Sequence, residues 1–410
     1  MKTRLSIVIA LILLSFSGAA QAQSVDAQYR TWLDQSLWPD AKAAGVSRAT
    51  FDAAFKGVTP NLKLPDLVLP GQKPATPKNQ HQAEFGAPGA YFAEKTIGSV
   101  QAGGRARASE HARTLRAVEQ RFGVPSGIVL AIWGRESGFG RAKIPYDAIE
   151  VLSTKAFLST RKDLFRKETL AALQVLEKGW AAKSDMKSSW AGALGQPQFL
   201  PSSLINHAVD MDGDGRRDIW TSVPDTLGSI ANYLAHHGWQ TGRDWGFEVT
   251  LPRSIACSLE GPDRGKSFAD WAKLGAKRVS GSAFPAKEMS KEGFLLLPAG
   301  TNGPAFIVTP NFYVLKDYNT SDLYALFVGN AADRITAGGS AFKGKWGSVD
   351  KLYRSDVAAM QRGLEKQGYD VGGADGLPGY KTRRSIGEWQ AKNGMTPTCF
   401  PSADLVKAVH

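Results

Sequence analysis

The chain has 410 residues, 21% of them charged, with 50 Lys and Arg against 38 Asp and Glu and a formal net charge of +12. That length exceeds the usual span of one domain, so two domains are expected, each able to bury a core. The positive balance points to an anionic partner, but no basic run with interleaved aromatics supports nucleic-acid reading, and the six histidines lack zinc-ligand spacing.

Residues 1–22, "MKTRLSIVIALILLSFSGAAQA", join Lys2 and Arg4 to an apolar core and a small-residue site, Ala20-Gln21-Ala22. This reads as an export signal cleaved after Ala22, because the apolar run is shorter than the ~20 residues of a spanning helix. No second such run follows and no cysteine lies near the cleavage site, so a soluble periplasmic protein without a membrane anchor is expected. Its anionic partner would then be an envelope polymer. The stretch 57–90, "GVTPNLKLPDLVLPGQKPATPKNQHQAEFGAPGA", has no sustained apolar period and reads as an extended segment, wrapping a domain or left mobile.

From Ala108 the pattern changes. Ala108, Ala112, Leu115, Val118 and Phe122 predict one helix ended by Gly123; Pro125 opens the next, with Ile128, Val129, Ile132 and Trp133, stopping near Gly138 or Gly140. Further helices are predicted around 165–183, 201–209 and 224–237, with His236 and His237 complementing the negative end of the last. Short apolar runs such as "FLLLP" and "AFIVTP", between about 245 and 315, predict a small strand-rich insertion. "TAGGSAFKGKWGS", 336–348, reads as an interdomain linker. Beyond it Val357, Met360 and Leu364 form a helical stripe, and Ile386 with Trp389 begins another helix. Cys257 and Cys399 are either an interdomain disulfide or two buried thiols.

Within "IWGRESGFG", Glu136 sits at the end of an apolar helix, where backbone carbonyls and apolar neighbours both disfavour ionisation. A carboxylic acid kept protonated near neutral pH can donate to a leaving oxygen, as glycosidic cleavage requires. Taken alone, the stretch better suits a surface glutamate at a frayed helix end, since short motifs match by accident. In "SWAGALGQPQFLPSS", 189–203, Gln198 suits an acetamido or hydroxyl group, and Gly192 and Gly195 keep the floor open. "DMDGDGRRD" sets Asp210, Asp212 and Asp214 at alternate positions with Gly215 sixth, as an EF-hand loop wraps a hard cation, and Arg216 offers its backbone oxygen. Thr221 stands where the usual twelfth-position glutamate would.

"RESGFG", "AGALGQPQFLPSS", "VDMDGDGRRDIW", "GSIANYLAHHGW" and "YNTSDLYALFVG" occur in the order found in lytic murein transglycosylases of the membrane-bound B type, which the chain resembles from about 110 to 335. The resemblance implies a mainly α (α+β) fold: a lysozyme-like helical catalytic domain over 23–340 with the small β-rich insertion. It implies non-hydrolytic cleavage of the MurNAc-GlcNAc β-1,4 bond of peptidoglycan, leaving a 1,6-anhydro end. Glu136 would serve as both acid and base, with the sugar's 2-acetamido group replacing an enzyme nucleophile. The implied substrate contacts are Ser189, Gln198, Asn232, Tyr233, Tyr318 and Tyr324, with Arg161 as a basic contact. Pro197 departs from the family, which often carries glycine there. No cofactor is required for the chemistry; a structural calcium ion would be held by Asp210, Asp212, Asp214 and Arg216, with Asp225 completing the set. Residues 347–410 resemble a three-helix peptidoglycan-binding domain, with Asp375, Tyr369 and Tyr380 as a polar and aromatic surface whose tether raises effective concentration. The competing readings are a hydrolytic muramidase, with Asp147 or Glu150 as second carboxylate, and a non-catalytic wall-binding scaffold.

Overall fold

A computed structural model describes residues 24–73, 86–252, 255–336 and 338–409; the export segment expected over 1–22, and residues 74–85 of the Pro- and Gln-rich stretch, lie outside them. Three helices that the sequence reading passed over open the described chain: α1 (Val25–Trp32), α2 (Trp38–Ala43) and α3 (Arg48–Phe55). Ser24 caps the first, its hydroxyl accepting from the Ala27 amide at 3.2 Å. Next come α4 (Glu94–Glu110), α5 (Ala112–Phe122) and α6 (Ser126–Ser137). The predicted stripe from Ala108 to Phe122 is therefore two helices, broken at His111 (φ −108°, ψ 24°). Gly123 ends α5 in the left-handed conformation, as expected.

Helices α7 (Ala148–Leu158) and α8 (Lys162–Glu177) form one unit with the opening helices: Tyr29, Leu37 and Phe51 bury against Ile149, Leu152, Phe165 and Leu173. Residues 57–73 of the extended stretch wrap this unit. The Val68 amide donates to the Leu158 carbonyl at 2.6 Å, and the buried Lys155 ammonium donates to the Pro65 carbonyl at 3.0 Å. Two short strands, β1 (Tyr146–Asp147) and β2 (Lys187–Ser188), pair antiparallel and lead towards α9 (Pro201–His207) and α10 (Val223–His236). His237 caps α10, with its Nδ1 2.7 Å from the Tyr233 carbonyl.

The strand-rich insertion is present. Strands β3 (Gly246–Thr250), β4 (Lys266–Ser267), β5 (Lys277–Arg278), β6 (Glu292–Leu296), β7 (Pro298–Thr301) and β8 (Ala305–Val308) include a five-stranded antiparallel sheet in the order β4-β6-β8-β3-β5. Helix α11 (Phe268–Lys273) lies between β4 and β5, and Phe268 and Trp271 bury against Phe247, Leu295 and Ile307. Helices α12 (Pro310–Tyr318) and α13 (Asp322–Thr336) then return the chain to the core around α6. Leu130, Ile132, Leu326 and Phe327 are fully buried there, each contributing about 1.5–3 kcal/mol relative to exposure.

The expected linker is packed rather than free. Trp346 stacks on Phe92 with centroids 5.1 Å apart, and Phe342 meets Phe306 edge-on at 4.9 Å. Helices α14 (Arg354–Lys366), α15 (Tyr380–Lys392) and α16 (Ala403–Ala408) follow, joined by Val357, Met360, Leu364, Ile386, Trp389 and Leu405. Cys257 and Cys399 are bonded, with Cα atoms 6.3 Å apart, so the interdomain bridge is the alternative realised.

Candidate active site

Helix α6 is apolar on all sides from Ile128 to Trp133, so it runs through the core and delivers Glu136 at its end. It stops because Gly138 turns left-handed (φ 57°) and the Phe139 amide reaches back to the Trp133 carbonyl at 3.3 Å. Glu136 keeps some surface open, yet dense surrounding protein pushes its carboxyl above the usual range, against the opposing Tyr324 hydrogen bond and Arg135 charge. The Tyr324 hydroxyl, from α13, donates to Glu136 Oε1 at 2.5 Å. Arg135 is turned away onto aromatic faces, 4.7 Å from the Tyr91 centroid and 5.0 Å from that of Phe327.

The second wall is the glycine- and glutamine-rich loop. Gly195 has φ 60°, and a Cβ there would lie 2.6 Å from the Ile219 carbonyl oxygen, so only glycine permits this approach. Gln198 adopts φ 55°, which costs a non-glycine residue about 1–2 kcal/mol, and its side-chain amide donates to the Gly195 carbonyl at 2.8 Å. The preceding Pro197 leaves its carbonyl free to accept the Tyr318 hydroxyl at 2.7 Å. Tyr233 meets Tyr318 edge-on at 4.9 Å and donates its hydroxyl to the Asp317 carbonyl at 2.7 Å. Burial holds the phenols of Tyr318 and Tyr324 well above the ordinary tyrosine range, with the Glu136 charge adding to the effect, so both remain neutral donors.

Glu136, Tyr324, Tyr318, Tyr233 and Gln198 thus belong to one linked region. Other expected contacts are engaged elsewhere. Ser189 Oγ accepts the amides of Ala191 and Ala193 at 3.3 and 3.2 Å, shaping its own turn. Asn232 donates its side-chain amide to the His207 carbonyl at 2.9 Å, bracing α10 against α9. Arg161 is exposed at the start of α8, its guanidinium 5.3 Å from the Phe165 centroid. Sequence reasoning missed Gln196: its Oε1 accepts from Trp133 Nε1 at 2.8 Å and its Nε2 donates to the Trp220 carbonyl at 2.9 Å. This glutamine ties the acid's own helix to the loop, and only the doubled glutamine of "GQPQ" hints at it.

In the acidic loop, Asp210, Asp212 and Asp214 each bring a carboxylate oxygen within 4.8 Å of the others. Asp210 accepts the amides of Gly213 and Gly215 at 2.6 and 2.8 Å, folding the loop around the cluster. An all-oxygen anionic set of this kind fits a hard cation such as calcium. One expected ligand is differently placed. Asp225 is fully buried, and its two oxygens accept the amides of Met211 and Asp218 at 2.7 and 2.8 Å, so it braces the loop from behind rather than joining the cluster. The expected ligand of Arg216 is its backbone oxygen; its guanidinium rests on Asp214 at 3.0 Å, adding a positive charge beside the cluster.

A helical lysozyme-like domain with a half-buried acid at a helix end, followed by a small helical module, defines the class. The match to the family described as Transglycosylase SLT domain spans residues 28–333, and the chain belongs to that family; residues 353–408 match a putative peptidoglycan binding domain. Among solved structures, SltB3 from Pseudomonas aeruginosa in complex with NAG-NAM-pentapeptide is 37% identical, covers 93% of this chain and 99% of that one, and gives a TM-score of 0.82. The Escherichia coli lytic transglycosylase Slt35 in complex with calcium is 28% identical, with 63% of this chain and 80% of that chain covered and a TM-score of 0.54. The membrane-bound lytic murein transglycosylase B of Escherichia coli strain K12 is 32% identical over 210 residues, which is 51% of this chain and 56% of that relative's length.

Proposed function

We propose that the chain is an exported lytic murein transglycosylase that cleaves the MurNAc-GlcNAc β-1,4 bond of peptidoglycan without water. The observation that carries this is the Glu136 carboxyl at the end of α6, its pKa raised by burial and its Oε1 accepting the Tyr324 hydroxyl at 2.5 Å. Glu136 gives its proton to the departing GlcNAc oxygen as the C1–O bond breaks. The 2-acetamido oxygen closes on C1, and the Glu136 carboxylate then takes the C6 hydroxyl proton while O6 displaces the acetamido group. Glu136 ends reprotonated and the product carries a 1,6-anhydro ring. Asp147 is occupied in capping α7, accepting the Glu150 amide at 3.1 Å, and Glu150 accepts from Asn61 at 2.7 Å, so neither favours the hydrolytic muramidase. The complex of SltB3 with NAG-NAM-pentapeptide supports the substrate class, and the export signal supports a periplasmic location.

Mass spectrometry of fragments released from purified sacculi tests the reaction. Muropeptides lighter by one water and lacking a reducing end are expected; reducing ends would establish the muramidase instead, and no release would leave the scaffold reading.

Calcium fits the loop as a structural ion that Asp210, Asp212 and Asp214 would hold. Calorimetric titration is expected to show uptake at or below ~10⁻³ M, weakened by Asp212→Asn. No heat at that concentration would remove calcium from the description. The C-terminal module would add weak glycan affinity, but Tyr380 lies against Gly261 of the insertion and Tyr369 packs on the module's core, which narrows the aromatic surface first expected.

A further inference from the structure

A buried ionic junction joins the C-terminal module to the helices that present the site's tyrosines. Arg383, on α15, is 3% exposed and Glu260, in the insertion, is fully buried. Arg383 Nη2 donates to Glu260 Oε1 at 2.6 Å and to Asp322 Oδ2 at 2.9 Å, while its Nε donates to both Glu260 oxygens at 3.0 and 3.1 Å. Glu260 also accepts the Leu297 amide at 2.8 Å, fixing it to the end of β6. Asp322, the first residue of α13, gives its other oxygen to the Lys316 ammonium of α12 at 2.5 Å. One guanidinium therefore holds three parts of the fold together.

Burying such charges contributes little net stability, because desolvation offsets most of the attraction. What the planar fork supplies is a fixed geometry. Two residues beyond Asp322, Tyr324 makes the 2.5 Å bond to Glu136, and its own amide donates to Ser321 Oγ at 3.1 Å. The Lys316 to Asp322 pair ties this helix start to α12, whose last residue is Tyr318. A shift of Asp322 would thus move both tyrosines relative to the acid. We propose that Arg383 of the C-terminal module is a positioning residue for the reaction: by anchoring Asp322 it sets α13, and so the hydrogen bond from Tyr324 to Glu136. The module is then part of the catalytic scaffold as well as a tether.

This inference rests on the proposed role of Glu136, so the wild type and its Glu136→Gln variant are measured first on soluble glycan strands. Loss of glycan cleavage in the Gln variant upholds that role, and its retention would sink the functional reading by itself. The paired replacement Glu260→Gln with Arg383→Gln is then made in the full chain, removing both charges at once while Asp322 keeps Lys316. A displacement of about 1 Å predicts a fall in kcat of about 10- to 100-fold with KM little changed. The groups acting on the acid are Arg135 on its own helix and Tyr324 and Tyr318 from α13 and α12. Because the Tyr324 bond lowers the pKa of Glu136, weakening it moves the alkaline limb of the pH profile upward. A folded double variant with wild-type kcat and an unmoved limb overturns the inference. If that variant does not fold, Arg383→Lys, which keeps the charge and loses the fork, carries the same test: wild-type kcat and an unmoved limb overturn it, and a partial loss with the upward shift upholds it.

Discussion

Glu136→Gln is expected to lower the rate of glycan cleavage by about 10³- to 10⁴-fold, near the upper end for acid–base catalysis because both proton transfers pass through one group. A variant retaining a tenth of wild-type activity would mean that another residue supplies the proton. The same substitution has a readable effect on stability. Burial raises the Glu136 pKa above its unfolded value, so the folded state binds that proton more tightly. The stabilisation this provides is complete below the unfolded pKa of about 4.3 and is lost as pH rises through the raised folded value. Glutamine carries no such dependence. Melting curves at acid and mildly alkaline pH should therefore show the variant gaining on the wild type as pH rises, and a gap independent of pH would contradict a raised pKa. The proposed acid is thus held in a place that is unfavourable to its ionised form.

The features legible in the sequence are those written locally. Helix α6 was readable because its apolar run, Pro125 and Gly138 lie within one short stretch, and Glu136 stood out as the charge at its end. The acidic loop was readable because its three aspartates alternate around glycines. What escaped depends on contacts between distant positions. Tyr324 and Glu136 are 188 residues apart, and no spacing rule shows that one donates to the other. "GQPQ" carries two glutamines whose directions are set by a left-handed turn at Gln198, so composition could not say that Gln196 would brace Trp133. Nothing in the local sequence around Arg383 or Glu260 marks them, because their burial depends on the docking of the module. The opening segment, in which the π-helical turn Leu33–Leu37 joins α1 to α2, did carry a usable signal: Tyr29, Leu33 and Leu37 recur every four residues, and all three are buried. The single helix expected after Ala108 failed for a different reason, since Ala108 and Ala112 keep the apolar spacing across the break at His111.

Replacing Cys257 and Cys399 by serine together is expected to lower stability by about 2–5 kcal/mol, because the bridge closes a loop across a sequence separation of 142 residues. Chemical denaturation checks the size, and thiol labelling of the unreduced native protein should modify neither cysteine. Labelling of both would show that the bridge does not form. The effect on catalysis should differ in kind from that of the Arg383 and Glu260 replacement. The disulfide holds the module close and so raises the effective concentration of Arg383 at Asp322. While the ionic junction remains closed, Tyr324 keeps its place. The serine variant should therefore turn over glycan at close to the wild-type rate well below its melting temperature, then lose activity at a temperature lower than the wild type does, as the module undocks. The amides of α14, α15 and α16 should exchange hydrogen faster than in the wild type at temperatures where α6 remains protected. Simultaneous loss of protection in both would show that the bridge supports the whole chain as one cooperative unit rather than the docking of its C-terminal part.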